Sequence, residues 1–243
     1  MGIIASRYFN LAYIVLDSTF VLLFIGLLCW RRRYLTTLWG LFGGILYFFV
    51  DYCVFYLWTG SRSIEGGNMF WTLLWMSMSY GFTNFAWIWL CLDKDGNLKE
   101  WTILIFSWWI ACPMISGMIS SPMIHIQRTT GAYHGIMGAI LFLSYLGVIV
   151  YNLSCRKKES MVNILWLCSI GVAVQFGWEF ALLVGGIRST GFALPEQIRT
   201  LVVNSLVETN LGMPLMFLIH KILQRPILGG SQTCLNALGN SRI

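Results

Sequence analysis

Charged side chains are scarce in this sequence: Asp, Glu, Lys and Arg together make up 11% of its 243 residues. Soluble domains usually contain about a quarter charged residues. Hydrophobic residues make up 57% of the chain, and its mean hydropathy is +0.70. The composition therefore excludes an ordinary soluble domain and predicts a multi-pass membrane protein.

Common metal-binding and cofactor-binding motifs are also absent. The seven cysteines form no Cys-x-x-Cys pair, and the chain has no His-Glu-x-x-His zinc-protease motif. No lysine lies in the middle of the last apolar run, where a retinal Schiff base would form; Lys221 lies at its end. We therefore expect neither a metal nor a cofactor.

Seven apolar runs are long enough to cross a membrane, which takes roughly 20 helical residues. They lie at residues 9–30, 35–59, 69–92, 101–121, 133–154, 162–185 and 200–222. Helices are expected because lipid leaves no unpaired backbone group tolerable, and the runs lack the alternation of a β-barrel. The sequence predicts an all-α membrane protein with one seven-helix domain over residues 1–228 and a disordered cytosolic tail over residues 229–243.

Basic residues are distributed unevenly between the two sides of these runs. Eleven lie on one side, at positions 31–33, 94, 99, 156–158, 221, 225 and 242. Five lie on the other side: Arg7, Arg62, Arg128, Arg188 and Arg199. The positive-inside rule then predicts an external or lumenal amino terminus and a cytosolic carboxyl terminus, in a bacterial plasma membrane or the endoplasmic reticulum. Because these residues lie in short loops, we expect no nucleic-acid partner. The expected partners are the lipid bilayer and a hydrophobic small molecule.

Acidic residues interrupt four of the apolar runs. Asp51, Glu179 and Glu208 are each surrounded by apolar residues. A carboxylate at membrane depth costs several kcal/mol unless it is paired, hydrated or neutralised, so it indicates a functional site. We therefore predict these three residues as catalytic. Asp17 in the first run is either a structural partner of a neighbouring helix or a further member of the site.

Polar and aromatic residues near the acids are the candidate substrate-binding residues. Tyr80 and Asn84 are four residues apart and so share one helical face. The remaining candidates are Gln175 and Trp178, close to Glu179, and Asn204 and Asn210, close to Glu208. Gly212 and Pro214 predict a kink in the last run.

The first and last three runs share a pattern that indicates an internal repeat. Asp51 aligns with Glu179 and Arg62 with Arg188, and a threonine follows each arginine after 21 residues, at Thr83 and Thr209. Three runs, one linker and three further runs would give parallel repeats around a central pocket, as in the sugar-exporting SWEET proteins.

Three functions are compatible with acids in such a pocket. A carboxyl group that burial keeps neutral can protonate an epoxide or alkene, and aromatic faces can stabilise the resulting cation. The same acids suit proton-coupled transport. Alternatively, they pair with Arg62, Arg188 or hydroxyl groups and only fix the helix packing. The residues alone leave these alternatives open.

Two segments carry a resemblance to a known family. Residues 51–71 run from an acid through Ser-Arg-Ser and Glu to Phe-Trp, and residues 206–212 read Leu-Val-Glu-Thr-Asn-Leu-Gly. Both resemble the small integral-membrane terpene cyclases of fungal indole-diterpenoid (paxilline-type) and meroterpenoid pathways and of some actinobacteria. The resemblance implies seven spans, a lyase or isomerase of terpenoid biosynthesis, and one catalytic acid each from the second and last spans, here Asp51 and Glu208.

The chain differs from that family at two positions of the second span, and both of its acids are swapped in type relative to the family. Tyr47 and Val50 stand where the family has Asn and Trp, and the nearest copy of the pattern is Gln175-x-x-Trp178-Glu179 in the sixth run. The aspartate-rich magnesium motifs of soluble terpene synthases are missing. The resemblance therefore implies metal-independent, proton-initiated cyclisation of an isoprenoid.

Overall fold

The computed structural model describes residues 5–128, 133–155, 161–188 and 193–224. The predicted tail, residues 229–243, lies outside these ranges. In the described part, seven helical segments follow one another. They are α1 (Leu11–Trp30); α2 (Tyr34–Phe48) with a π-helical continuation (Phe49–Trp58); α3 (Met69–Met76), a π-helical segment (Ser77–Gly81) and α4 (Phe82–Leu92); α5 (Leu98–Gly117); α6 (His134–Ser154); α7 (Ile164–Val184); and α8 (Leu194–Val207), a 3-10 turn (Asn210–Gly212) and α9 (213–224).

Five of the seven segments are long and apolar enough to cross a membrane. They are Leu11–Trp30, Tyr34–Trp58, His134–Ser154, Ile164–Val184 and Leu194–Gln224. The remaining two, α3–α4 and α5, lie where the sequence predicts the third and fourth runs, and they contain more tryptophan than the other segments. The helical fold class and the positions of the helices are therefore as predicted.

Asparagine side chains begin three of the helices. Asn10, Asn68 and Asn163 precede α1, α3 and α7, and each Oδ1 accepts a hydrogen bond from the backbone N–H three residues later, at 2.7, 3.2 and 3.0 Å. These bonds satisfy backbone donors that the first helical turn leaves unpaired. Pro195 in the first turn of α8 has no N–H to satisfy.

A small antiparallel sheet, which the sequence analysis did not predict, covers one end of the helices. Its strands are β1 (Ala5–Asn10), β2 (Arg62–Glu65) and β3 (Met123–Arg128), in the order β1-β3-β2. A bridge between Arg7 and Arg188 joins the segment after α7 to this sheet. The sheet therefore gathers three chain connections and the amino-terminal segment at the end where α1 begins and α7 ends.

The core lies between α1, the third segment, α5 and α7. Its fully buried side chains include Phe24, Leu28, Ile88 and Ile105. Helix α6, in contrast, has no buried residue. Glycines allow the closest helix contacts: a Cβ atom at Gly43 would lie 2.2 Å from Phe85 Cγ, and one at Gly171 would lie 2.3 Å from Asn210 Oδ1. Glycine is thus required where α2 meets α4 and where α7 meets the 3-10 turn.

Candidate functional site

Three arginines extend from the sheet end into the helical bundle. Arg7 lies in β1, Arg62 begins β2, and Arg188 is bridged to Arg7. They are only 5%, 4% and 8% exposed, respectively. An arginine side chain stays charged in proteins, so burying it requires acceptors close by. The buried acids supply those acceptors.

Asp51 forms an ion pair with Arg62. Arg62 Nη2 donates to Asp51 Oδ1 at 2.9 Å and Nε donates to the same oxygen at 3.3 Å. Asp51 is 2% exposed. It lies in the π-helical continuation of α2, and the guanidinium of Arg62 lies over the Phe55 ring at 4.3 Å. Arg62 therefore supplies the cation that a buried carboxylate requires.

Glu179 in α7 is neutralised in the same way. Arg188 Nη1 contacts Glu179 Oε2, and Arg7 Nη2 lies 3.9 Å from Oε1. With its amide oxygen facing Arg188, Asn204 accepts hydrogen bonds from Nη2 at 2.7 Å and from Nη1 at 3.2 Å. Glu179 and Asn204 are both 1% exposed. The arrangement holds an ionised carboxylate and a guanidinium away from water.

Gln175 connects Glu179 to Glu208. Its Nε2 lies 2.8 Å from Glu208 Oε2 and 3.4 Å from Glu179 Oε1, while its Oε1 accepts a hydrogen bond from Thr209 Oγ1 at 2.6 Å. None of the ion pairs found in the described ranges includes Glu208, which is partly exposed. Glu208 therefore differs from Asp51 and Glu179, because its observed partner is an amide instead of a cation.

Aromatic rings pack beside this hydrogen-bond network. Tyr80 stacks on Trp178 with 5.5 Å between ring centroids and 13° between planes, and Trp109 meets Trp178 edge to face at 5.2 Å. Tyr47 meets Tyr80 edge to face at 4.7 Å. Arg7 lies 6.0 Å from the Trp178 centroid. Trp178 lies one helical turn after Gln175 on the same face of α7 and directly precedes Glu179 in the chain.

Asn84 and Asn210 form no observed hydrogen bond to the network around Gln175. Asn84 is 1% exposed, and neither its Oδ1 nor its Nδ2 has a hydrogen-bond partner in the described part of the chain. Asn210 Oδ1 accepts a hydrogen bond from Tyr145 Oη at 3.2 Å.

The hydrogen-bond network and the rings beside it bring together six of the nine predicted site residues: Tyr80, Gln175, Trp178, Glu179, Asn204 and Glu208. Asp51 lies in its pair with Arg62, and the two asparagines form no observed hydrogen bond to the acids.

Sequence reasoning assigned no site role to Arg7 or Tyr145. Arg7 precedes the first span, and only its strand partners bring it to Glu179. Tyr145 lies near the middle of α6, and its partner Asn210 is 65 residues away in the sequence, so no local pattern indicated their contact. Among the described residues, no three His, Cys, Asp or Glu side chains are grouped closely enough to hold a metal ion.

Comparison with known proteins does not extend this description. No protein-family model matches the chain, and neither a curated protein nor a solved structure matches it. The function is therefore inferred from the geometry of the site itself.

Proposed function

We propose that the chain is an integral membrane protein with seven spans arranged as three, one and three. The lengths and positions of the helical segments support this arrangement, and five of them meet the length and hydropathy requirement directly. In this proposal the sheet end is external or lumenal, since the basic residues of the opposite end are the more numerous. In this orientation, the three buried arginine side chains extend into the helical bundle from its external or lumenal end.

Matched features support the proposed repeat. Asp51 with Arg62 and Glu179 with Arg188 form ion pairs in corresponding positions of the two halves. The helix that follows each pair is irregular, at Ser77–Gly81 in the first half and at Asn210–Gly212 in the second. Parallel repeats place equivalent features around one axis normal to the membrane. A substrate site between the halves follows from that arrangement.

For the activity, we propose proton-initiated cyclisation of an isoprenoid epoxide or alkene, with Glu208 as the proton donor. The observation that carries this proposal is the contrast between the acids. Arginines neutralise Asp51 and Glu179, whereas Glu208 contacts the Gln175 amide beside the Trp178 ring system. A positioned carboxyl group that no observed cation neutralises can act as a general acid.

In the proposed reaction, Glu208 donates one proton to the substrate and later accepts one back. Glu208 gives its proton to the epoxide oxygen or alkene carbon, and the π electrons of a second alkene close the ring. The carbocation then loses a proton from a neighbouring carbon to the Glu208 carboxylate, so the product is an isomer of the substrate. Tyr80 and Trp178 would stabilise the cation through their ring faces.

Product analysis in a host that expresses the chain tests this proposal. Cells are supplied with an epoxidised prenyl-aromatic compound, and lipid extracts are compared by liquid chromatography and mass spectrometry. We expect a new product of unchanged mass and altered retention, which is lost in Glu208→Gln. Unchanged substrate in cells that contain the folded wild-type protein would contradict the cyclase.

A second candidate function is proton-coupled transport of a small molecule, in a SWEET-like arrangement. The matched ion pairs in the two halves favour it, since pairs of this kind can break and re-form as two repeats move against each other. Purified protein in liposomes separates the two functions. A transporter moves a solute across the membrane when a proton gradient is applied, and the solute is recovered chemically unchanged. A cyclase converts its substrate into a product without any gradient.

A further inference from the structure

We propose that the end opposite the sheet contains a binding site for the headgroup of phosphatidylethanolamine, in the cavity where α1 ends and α5 begins. In this site Arg31 binds the phosphate group of the lipid, and Glu100 binds its ammonium group. The inference rests on the proposed membrane spans and does not depend on the proposed cyclisation.

The cavity has a volume of about 230 Å³ and is lined by five residues: Arg31, Asn97, Glu100, Trp101 and Leu104. Arg31 directly follows the last residue of α1, and the other four lie in or directly before the first two turns of α5. Pockets for drug-sized ligands measure about 300–1,000 Å³. This cavity is therefore suited to a small polar headgroup whose acyl chains remain in the bilayer.

The α5 side of the cavity changes from polar to apolar along one helical face. Its residues share that face because they follow the first by three, four and seven positions: Asn97, Glu100, Trp101 and Leu104. Seven residues of helix extend about 10 Å, so the leucine lies deeper in the bundle than the polar side chains. Trp101 packs edge to face against Phe24 of α1, with 5.9 Å between ring centroids. A phospholipid has the same order, with a charged headgroup at the membrane surface and apolar chains below it.

Arg31 is held at this cavity without an observed carboxylate partner. Its Nη2 donates a hydrogen bond to Asn97 Oδ1 at 2.9 Å. None of the ion pairs found in the described ranges includes Arg31, whereas Arg33 pairs with Asp95 at 2.7 Å. A guanidinium has several N–H donors and binds phosphate oxygens through two of them at once. Arg31 therefore retains the donors that a phosphate group requires.

Glu100 decides which phospholipid fits the cavity. Its carboxylate lines the same cavity as Arg31, and it is absent from the ion pairs of the described residues. A headgroup whose only charge is its phosphate, as in phosphatidylglycerol, would place that charge close to this carboxylate. The ammonium group of phosphatidylethanolamine donates N–H hydrogen bonds to a carboxylate, whereas the trimethylammonium group of phosphatidylcholine has no N–H. The pair of opposite charges therefore favours phosphatidylethanolamine.

Native mass spectrometry of the purified protein in detergent, titrated with each lipid, tests this site. We expect wild type to bind phosphatidylethanolamine several-fold more tightly than phosphatidylcholine or phosphatidylglycerol. Arg31→Gln should weaken the binding of phosphatidylethanolamine about tenfold, because hydrogen bonds from a charged donor are lost. Arg32→Gln is the matched control and should bind as wild type does, since Arg32 is exposed and does not line the cavity. Glu100→Gln should bind phosphatidylethanolamine and phosphatidylcholine equally.

The controls separate a failure of the site from a failure of the fold or of the spans. Arg31 and Glu100 are exposed, so neither substitution should change the unfolding temperature in detergent free of phospholipid. Equal wild-type affinities for phosphatidylethanolamine and phosphatidylcholine would overturn the proposed site. An Arg31→Gln variant that binds as tightly as Arg32→Gln would overturn it as well. Protein that stays soluble without detergent would contradict the spans, and the lipid site with them.

Discussion

At the residue scale, charge neutralisation distinguishes the buried acids. Arg62 and Asp51 are 4% and 2% exposed, so both ions have lost most of their hydration. Their mutual attraction offsets that loss only while both are present. Removing one partner therefore costs more free energy than replacing both with neutral side chains.

This difference gives the first prediction. Asp51→Asn should lower the free energy of unfolding by about 3–5 kcal/mol, because Arg62 stays buried without its carboxylate. Adding Arg62→Met should recover part of that loss. Thermal unfolding of the detergent-solubilised variants measures both changes. The exposed Glu100 provides a matched acid-to-amide control, Glu100→Gln. Equal stability of Asp51→Asn and wild type would show that the pair does not stabilise the fold.

At the element scale, two glycines decide how closely the helices approach. Gly43 meets Phe85, and Gly171 meets the side chain of Asn210. Gly147 in α6, in contrast, has no heavy atom within 4 Å of an added Cβ. The same substitution should therefore have opposite effects at a helix contact and on the open face of α6.

The second prediction compares these positions. Gly43→Ala should destabilise the protein by about 1–3 kcal/mol, because the new Cβ overlaps the Phe85 ring. Gly147→Ala should stabilise it by about 0.5–1 kcal/mol, since alanine loses less conformational entropy in a helix. Unfolding midpoints of the two variants in one detergent provide the measurement. A Gly43→Ala variant as stable as Gly147→Ala would contradict the observed α2–α4 contact.

The helices could be predicted from the sequence, whereas the sheet could not. Apolar runs report helix length directly, so the predicted second run, residues 35–59, nearly coincides with Tyr34–Trp58. Strand β2 has four residues and pairs with β3, which lies about sixty residues later, so no local periodicity marks it. Gly212 and Pro214 predicted the break in the last segment, but no comparable signal preceded the π-helical segment Ser77–Gly81.

The candidate site was predictable in its acids and in Arg62 and Arg188 as their possible partners, but not in the contact of Arg7 with Glu179. Acids inside apolar runs are visible in any sequence, and residue type, depth and the arginine-to-threonine spacing suggested that Asp51 and Glu179 correspond. The contact of Arg7 with Glu179 depends on β1 pairing with β3 and on the bridge to Arg188. Contacts between residues that are far apart in the sequence produce no local sequence pattern from which they could be predicted.

At the scale of the whole molecule, the proposed orientation follows from the distribution of basic residues. The end opposite the sheet contains the Arg33–Asp95 ion pair at 2.7 Å and the hydrogen bond between Arg31 and Asn97 at 2.9 Å. Arginines at this end suit contact with anionic headgroups of a cytosolic leaflet. The sheet and its three buried arginines then face the opposite compartment.

The third prediction concerns that orientation. A fluorescent reporter that matures only in the cytosol should be bright when it is fused to the carboxyl terminus and dark when it is fused to the amino terminus. A reporter that is active only outside the cytosol should give the reverse pattern at both ends. Cytosolic signals from both termini would contradict seven spans, because an odd number of spans places the termini on opposite sides.

We propose that Glu208 donates the proton, and this role is measured most directly by turnover of the epoxidised prenyl-aromatic compound by purified protein in lipid nanodiscs. Glu208→Gln should lower the rate by about 10²–10⁴-fold, since a positioned general acid contributes about that much. Glu196→Gln, an acid-to-amide change at an exposed position of the preceding helix α8, should leave the rate unchanged. A folded Glu208→Gln variant that turns over as fast as Glu196→Gln would contradict the account.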